Sequence, residues 1–133
     1  MTQAPWHRAR AQQPWLNPPT HWAGSLPEWA LYWAHLRLGL RDGIEFTYQA
    51  PALGGRTQAG GAVIDFMEND VGIAIRVQGL HFHDYAGGDR RSFDILQQLS
   101  LEQSGIRVID LRDDTILQSP IGSLKNARAG IGG

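Results

Sequence analysis

The sequence predicts an α/β protein in which helices pack around a mixed β-sheet. Two observations support this class. Stretches with helix-start and helix-stop residues alternate with stretches of strand periodicity, in the order helix, three strands, helix, strand, helix. The connection from the third strand through the second helix to the fourth strand should be a right-handed parallel crossover. With 133 residues, of which 42% are apolar, the chain can bury one core.

The composition excludes several classes of site. Without cysteine there are no disulfides, thiolate metal sites or cysteine nucleophiles, which fits a reducing compartment. A formal charge of -1 gives no overall field that attracts nucleic acid, so any phosphate contact needs a local patch. No apolar run approaches the roughly 18 residues of a membrane span, and the N-terminus lacks a signal-peptide core. We therefore expect a soluble, cytoplasmic protein.

Residues 1–24 are predicted to form an irregular N-terminal arm. The segment contains four of the seven prolines and three tryptophans, without helical or alternating periodicity. Because tryptophan rings gain little unless they are buried, the arm should pack on its own domain or on a partner. A loose tail with incidental tryptophans is the alternative. The folded domain should span 25–129, followed by a Gly-rich tail at 130–133 that frays.

The first helix and the next three strands have clear local signals. Ser25 can cap the helix, Pro27 suits its first turn, and Gly39 can end it. The stretch "IEFTYQA" alternates as a strand, and the Gly-rich segment 51–61 should be a turn or flap. Two further strands are expected near 61–67 and 71–79, with "MEND" as the hairpin loop. The predicted buried stripe of the first helix is Leu26, Ala30, Trp33 and Leu36 or Arg37.

The second half should supply two helices and a strand. A helix is predicted from near Asp89 to just before Gly105, and "IRVIDL" reads as a buried strand. A short helical turn then precedes a last helix that Ser119 caps and Pro120 begins. The second helix should bury the side formed by Phe93, Leu96, Leu99 or Ser100 and Gln103.

The hairpin at 62–79 brings polar groups together. Alternation places Arg76 and Gln78 on one face of the third strand. On the neighbouring strand, Asp65 should face away from Ile64 and Phe66 and could stand beside that pair. Carboxylates on strands often hold Mg²⁺, because hard oxygen ligands orient the ion that activates water.

Five stretches in order carry a resemblance to a known family. They contain Glu28 in "PEWALYWAHL", Asp65 in "VIDF", the stretch "IRVQG", His83 after "GLHF", and Asp94 in "FDILQQLSLEQSGIRVIDL". Over residues 25–125 the chain resembles the restriction-endonuclease-like PD-(D/E)XK superfamily, in particular the branch of the very-short-patch repair endonuclease. The resemblance implies a three-layer α/β/α sandwich with a central four-stranded mixed sheet, flanked by irregular arms.

The resemblance also implies a chemistry, which one position contradicts. It implies Mg²⁺-dependent cleavage of a phosphodiester, with Asp65 as metal ligand and Glu28 near the metal. Gln78 stands where a lysine is common. Arg76 replaces the expected acidic ligand, and a guanidinium cannot ligate Mg²⁺. We therefore predict that Arg76 pairs with Asp65 or Glu28 and that no Mg²⁺ binds there.

Three further groups of residues complete the predicted site. The resemblance places His83 beside the scissile phosphate, and Asp94 would assist. Arg56, Arg90 and Arg91 are candidates for phosphate contacts.

Each candidate also has an ordinary interpretation. Glu28 also fits a helix start, Asp65 a turn, Asp94 a helix cap, and the arginines a solvated face. His81 and His83 could be half-exposed side chains without a ligand.

Two functions follow as hypotheses. The first is a divergent nuclease-fold domain with impaired catalysis, used for binding or assembly. The sequences that this chain resembles occur largely in phages and prophages, so the resemblance implies a virion or DNA-packaging component as its concrete form, with protein partners on the N-terminal arm and DNA as a second ligand. In that case the protein resides in the virion. The alternative is an active Mg²⁺-dependent DNA endonuclease.

Overall fold

A four-stranded sheet and three helices organise the parts of the chain that the computed structural model describes, residues 13–49, 64–79 and 101–133. Residues 101–103 are also helical, and Pro14–Leu16 form one turn of 3₁₀ helix. The helices are α1 (Leu26–Arg37), α2 (Asp113–Gln118) and α3 (Pro120–Arg128), and the strands are β1 (Phe46–Tyr48), β2 (Phe66–Glu68), β3 (Ile73–Gln78) and β4 (Arg107–Arg112).

The sheet is mixed, as the sequence predicts. Its order is β1-β2-β3-β4; the first two pairs are antiparallel, and β3 pairs with β4 in parallel. The hairpin loop differs from the expected "MEND", because Glu68 pairs with Ile73 as the last residue of β2. The turn therefore comprises residues 69–72, and Gly72 takes the positive φ of 67° that this turn requires.

Helix α1 begins and ends where local signals predict. The Ser25 hydroxyl accepts a hydrogen bond from the Glu28 backbone N–H, and the Glu28 side chain reaches back to Ser25, which together form a capping box. Beyond the helix, Gly39 has a φ of +79°. The predicted buried stripe is wrong in part, since Leu36 is 47% exposed. The residues of α1 that are buried are Ala30, Leu31, Ala34 and His35.

Apolar side chains lie on both faces of the sheet. The larger cluster joins the sheet to all three helices through Leu31, Ile116 and Leu124. The smaller cluster consists of Ile64, Ala74, Leu101 and Val108. Leu101, not the predicted Gln103, is thus the buried residue at this helical end, because Gln103 is exposed.

A bend at Asp65 interrupts the expected alternation of the second strand. Regular pleating would put Ile64 and Phe66 on the same face. Instead, Ile64 joins the smaller cluster and Phe66 the larger one, because residue 65 is a bend and β2 begins only at Phe66.

The described part of the N-terminal arm packs on the domain. Trp15 lies 5.1 Å from Trp33, measured between ring centroids, and its Nε1 donates to the Leu117 carbonyl at 2.9 Å. Trp22 stacks on Tyr48 with centroids 5.1 Å apart. These contacts tie residues 13–24 to α1, α2 and β1.

The C-terminal tail, which we expected to fray, lies along β4. The Gly133 N–H donates to the Asp110 carbonyl at 3.2 Å, and the Arg112 N–H donates to the Gly133 carbonyl at 3.1 Å. Gly130, with a φ of +87°, turns the chain back after α3.

These elements establish the α/β class with a mixed sheet. The predicted Gly-rich flap and most of the predicted second helix lie outside the described residues, as do Arg56, His81, His83, Arg90, Arg91 and Asp94. None of the helices in the described ranges combines the length and apolar character that crossing a membrane requires.

Candidate functional site

Charged and polar side chains gather where β1, β3 and β4 end and β2 begins. We call this group, Glu28, Tyr48, Asp65, Arg76 and Asp110, the strand-end cluster. The antiparallel and parallel pairings bring these strand ends to the same end of the sheet, and Glu28 lies nearby in the first turn of α1. Among the sequence-predicted candidates, Asp65 lies within electrostatic reach of both Glu28 and Arg76. Arg76 and Gln78 share the sheet face of Ala74 and Val108, whereas Glu28 contacts Tyr48 on the face of the larger core cluster.

Arg76 is paired with Asp110, which sequence reasoning did not single out. The Arg76 Nε donates to Asp110 Oδ1 at 2.8 Å and its Nη2 donates to Oδ2 at 3.1 Å, while Gln78 Nε2 donates to Oδ1 at 3.2 Å. The predicted pairing of Arg76 with Asp65 or Glu28 is wrong. The parallel register places Arg76 directly opposite Asp110, which makes the two-pronged contact geometrically natural.

Asp65 ends the pairing of β2 with β3. Its Oδ2 accepts the Val77 N–H at 2.7 Å, and its backbone carbonyl accepts the Gln49 N–H at 2.7 Å. Burial raises the pKa of Asp65 to about 7, against the lowering effect of the Val77 N–H. The negative charges of Glu28 and Asp110 raise this pKa further, and Arg76 lowers it. Asp65 is thus a carboxyl group that changes charge near neutral pH.

Glu28 has its carboxylate fully engaged by neighbours. Oε1 accepts hydrogen bonds from the Ser25 hydroxyl at 2.9 Å and from the Ser25 N–H at 3.4 Å. Oε2 accepts from the Tyr48 hydroxyl at 2.5 Å and from Gln49 Nε2 at 3.3 Å. Burial, and next the bond to Glu28, raise the pKa of Tyr48, so this hydroxyl remains a donor. Glu28 thus completes the capping box of α1, as a residue at a helix start does.

Gly24 leaves space for the hydrogen bond between Tyr48 and Glu28. A Cβ atom at Gly24 would lie 2.4 Å from the Tyr48 hydroxyl oxygen and 3.2 Å from Glu28 Oε2. Only glycine leaves room for the hydroxyl at this distance.

The described residues of the cluster do not fit the Mg²⁺ that the resemblance implies. Mg²⁺ requires oxygen ligands in near-octahedral geometry. The Glu28 oxygens accept four hydrogen bonds, and both Asp110 oxygens accept from a guanidinium cation. Within residues 13–49, 64–79 and 101–133, no group of three or more His, Asp or Glu side chains is arranged to hold a metal ion.

A second polar group lies inside the larger core, and we call it the buried cluster: His35, Glu68, Asp70 and Arg128. His35 Nε2 lies 2.8 Å from Glu68 Oε1, and Arg128 Nη1 donates to the same oxygen at 2.7 Å. Arg128 Nη2 also donates to Asp70 at 2.5 Å. The side chains of His35 and Glu68 are 0% exposed.

The hydrogen bonds of His35 fix where protons reside. Its Nδ1 lies 2.8 Å from the Leu31 carbonyl, which can only accept, so Nδ1 carries a hydrogen. Contact between Nε2 and the Glu68 carboxylate requires one further proton between them. The ring stacks between Phe46 and Phe66, with centroids 4.0 and 4.9 Å away. The buried cluster therefore joins α1, β2 and α3 through the enclosed His35 and Glu68, and Asp70 is its exposed end.

Sequence reasoning missed the buried cluster and Asp110 because their partners are distant along the chain. His35 and Glu68 are 33 residues apart, and Glu68 and Arg128 are 60 apart. The only available signal was an ionisable residue at a position of core periodicity. His35 satisfies that criterion, since it falls one turn after Leu31 in α1.

Comparison with known proteins gives no match: no protein-family model fits the sequence, and neither curated proteins nor solved structures yield a significant similarity. The function must therefore be argued from the residues themselves.

Proposed function

We propose that this protein is a divergent nuclease-fold domain that has lost metal-dependent catalysis and serves in binding or assembly. In this proposal the sheet and its helices belong to a three-layer sandwich of the restriction-endonuclease-like kind. The protein acts as a component of a larger assembly, of which a phage virion or packaging complex is the concrete version, with protein partners on the N-terminal arm.

The observation that carries the proposal is the pair between Arg76 and Asp110. A fixed cation with 10% of its side chain exposed lies where the resemblance calls for an acidic metal ligand. A second cation at close range would be repelled, and Asp110 would have to exchange two charge-assisted hydrogen bonds for the metal. The engagement of Glu28 with four donors supports the same conclusion.

A plasmid-nicking assay tests the loss of catalysis. The native protein, Asp65→Ala and Arg76→Glu are incubated with supercoiled plasmid and either Mg²⁺ or Mn²⁺. We expect no nicking by the native protein above the level of Asp65→Ala. Nicking by the native protein that Asp65→Ala abolishes would establish the alternative, an active endonuclease, and would reject the proposal.

The assembly role needs a separate measurement. Sedimentation of the native protein over a range of concentrations, alone and with a DNA duplex, reports self-association and DNA binding. We expect self-association, or retention of the duplex without cleavage. A monomer that neither associates with itself nor binds the duplex would remove the support for both of these roles.

A variant that tests the arm must keep the contacts that Trp15 and Trp22 make with the domain. Because Trp15 and Trp22 pack on α1 and β1, deleting residues 1–24 would expose core-facing aromatic rings. Deleting only residues 1–12 leaves those contacts intact, so a loss of association in that variant reports on the arm itself.

A further inference from the structure

We infer that the N-terminal arm is exchanged between copies of this chain, so that Trp15 of one molecule packs on α1 and α2 of another. This inference rests on the assembly role in the proposed function, and it adds the partner and the surface. The surface is formed by Trp33 of α1 and the backbone carbonyl of Leu117 in α2, and we call it the arm site.

The arm site binds an indole ring through packing and one hydrogen bond. The ring centroids of Trp15 and Trp33 lie 5.1 Å apart, and Trp15 Nε1 donates to the Leu117 carbonyl at 2.9 Å. Trp15 also packs against the larger core cluster. A tryptophan with its ring packed and its N–H paired is the type of residue that dominates the binding energy of protein interfaces.

The arm is attached to the domain at two tryptophans, which differ in their distance from it along the chain. Trp22 lies three residues before Ser25 and donates from Nε1 to the Ser25 carbonyl at 3.1 Å. Trp15 instead contacts Leu117, which is 102 residues away. Between the two tryptophans, the prolines at 18–19 restrict the backbone to extended conformations. The segment that carries Trp15 can therefore move to another molecule while Trp22 and the start of α1 stay in place.

A second copy of this chain is the partner that fits the arm site. An arm from another copy makes the same contacts as the chain's own arm, so exchange joins two copies without loss of a contact. Leu36 lies three residues after Trp33 on α1 and is 47% exposed with the arm in place. Apolar surface beside the site thus remains for the copy that supplies the arm. With a net charge of -1 per chain, two copies repel each other weakly.

Crosslinking of full-length chains tests the exchange. Because the protein has no cysteine, one can be introduced per chain. Donor chains with Gln13→Cys are mixed with acceptor chains with Gln118→Cys and treated with a flexible bismaleimide. Residue 13 is close to Trp15 in the sequence, and residue 118 follows Leu117. Since each chain has one cysteine, a link between residues 13 and 118 always joins two molecules, and mass spectrometry identifies it.

An acceptor with Val71→Cys is the control, because Val71 is 44% exposed and lies in the turn before β3, whereas α2 follows the far end of β4. We expect links from residue 13 to residue 118 to exceed links to residue 71 by about tenfold or more.

Trp15→Ala should change the yield of links in opposite directions in the two chains. In the donor it removes the ring that enters the arm site, so the yield should fall about 30-fold, as for loss of a dominant interface residue. In the acceptor it removes the competing arm of the same chain, so the yield should rise by roughly tenfold. A general loss of stability would not produce opposite signs.

Two results would overturn the inference: links to residue 118 that do not depend on Trp15 of the donor, and an acceptor with Trp15→Ala that gains none. If the native protein self-associates in sedimentation without these links, arm exchange is rejected and the assembly role stands. If it stays monomeric and binds no duplex, the assembly role itself is rejected.

If Trp15→Ala does not fold, Trp15→Phe replaces it. Phenylalanine keeps an aromatic ring and lacks the N–H that the Leu117 carbonyl accepts. In the donor this variant should lower the yield of links by about 2–10-fold, the value of one net hydrogen bond. An unchanged yield would refute the inference.

Discussion

The buried cluster and the strand-end cluster contain the same kinds of group and serve different ends. Each has carboxylates and an arginine held by side-chain hydrogen bonds. In the buried cluster, Glu68 and His35 are 0% exposed and every carboxylate faces a donor. In the strand-end cluster, Asp110 is 46% exposed and the carboxyl of Asp65 has an altered pKa.

The difference shows that burial and charge balance decide whether a polar cluster stabilises the fold or can bind a proton or a ligand. The enclosed and paired part of the buried cluster, His35 and Glu68, rigidifies the fold, while Asp70 at its margin is exposed. In a half-open group with more carboxylates than cations, the negative charges repel one another. Binding of a proton or another cation reduces that repulsion. The strand-end cluster is therefore the place to look for function.

The largest effect is expected from Glu68→Gln in the buried cluster. The change removes the charge that offsets His35 and Arg128 within the core, and breaking a buried pair in this way costs about 3–5 kcal/mol. Urea denaturation measures the free energy of unfolding. Asp70→Asn is the control, because Asp70 is 41% exposed and its loss should cost below about 1 kcal/mol. Equal costs for both variants would contradict the comparison.

Asp65→Asn should stabilise the protein in a pH-dependent manner. The folded protein holds the proton of Asp65 up to a pKa of about 7, against 3.8 for an ordinary aspartic acid. Native stability thus falls as the pH rises from about 4 to 7, and asparagine avoids this loss while still accepting the Val77 N–H. Above pH 7 the variant should be more stable by roughly 2–4 kcal/mol.

Denaturation profiles from pH 4 to 8.5 check this effect. Glu45→Gln is the control with the opposite sign, because hydrogen bonds from Arg41 lower the pKa of Glu45 to about 2. Its stabilising contribution is present above pH ~4.5 and is lost only as the pH falls toward 2. The two variants should therefore diverge from the native curve in different pH windows. A constant offset for Asp65→Asn across all pH values would show that its proton plays no part.

Gly24→Ala should cost about 1–3 kcal/mol, the usual cost of overpacking. The new methyl group would collide with the Tyr48 hydroxyl, which binds Glu28. Thermal or urea unfolding measures the cost. In a Tyr48→Phe background the collision is removed, so the same substitution should cost much less. If the cost is unchanged in that background, the Tyr48 hydroxyl is not its cause.

The smallest effect should come from Glu28. Because glutamine also completes a capping box, Glu28→Gln should change stability by less than about 1 kcal/mol, and Glu28→Ala should cost about 1 kcal/mol. Helix content and unfolding midpoints report both. The same two variants also test the alternative function. If Glu28 is catalytic, Glu28→Gln should abolish nicking of plasmid DNA.

Local signals explain why much of the fold could be predicted. Ser25, Glu28 and Gly39 mark the ends of α1 through contacts within three or four residues. The face shared by Arg76 and Gln78 follows from strand periodicity, and both residues contact Asp110. The turn at 69–72 and the bend at Asp65 could not be predicted, because strand pairing and packing decide them.

By itself, the sequence determined the helix and strand types, the mixed sheet and three members of the strand-end cluster, because capping and periodicity act over a few residues. Only the tertiary structure decided that Arg76 pairs with Asp110, that Glu68 is enclosed with His35, and that the tail lies on β4. Those outcomes depend on the register between strands and on which charges are removed from water together. Neither quantity is contained in the spacing of residues along the chain.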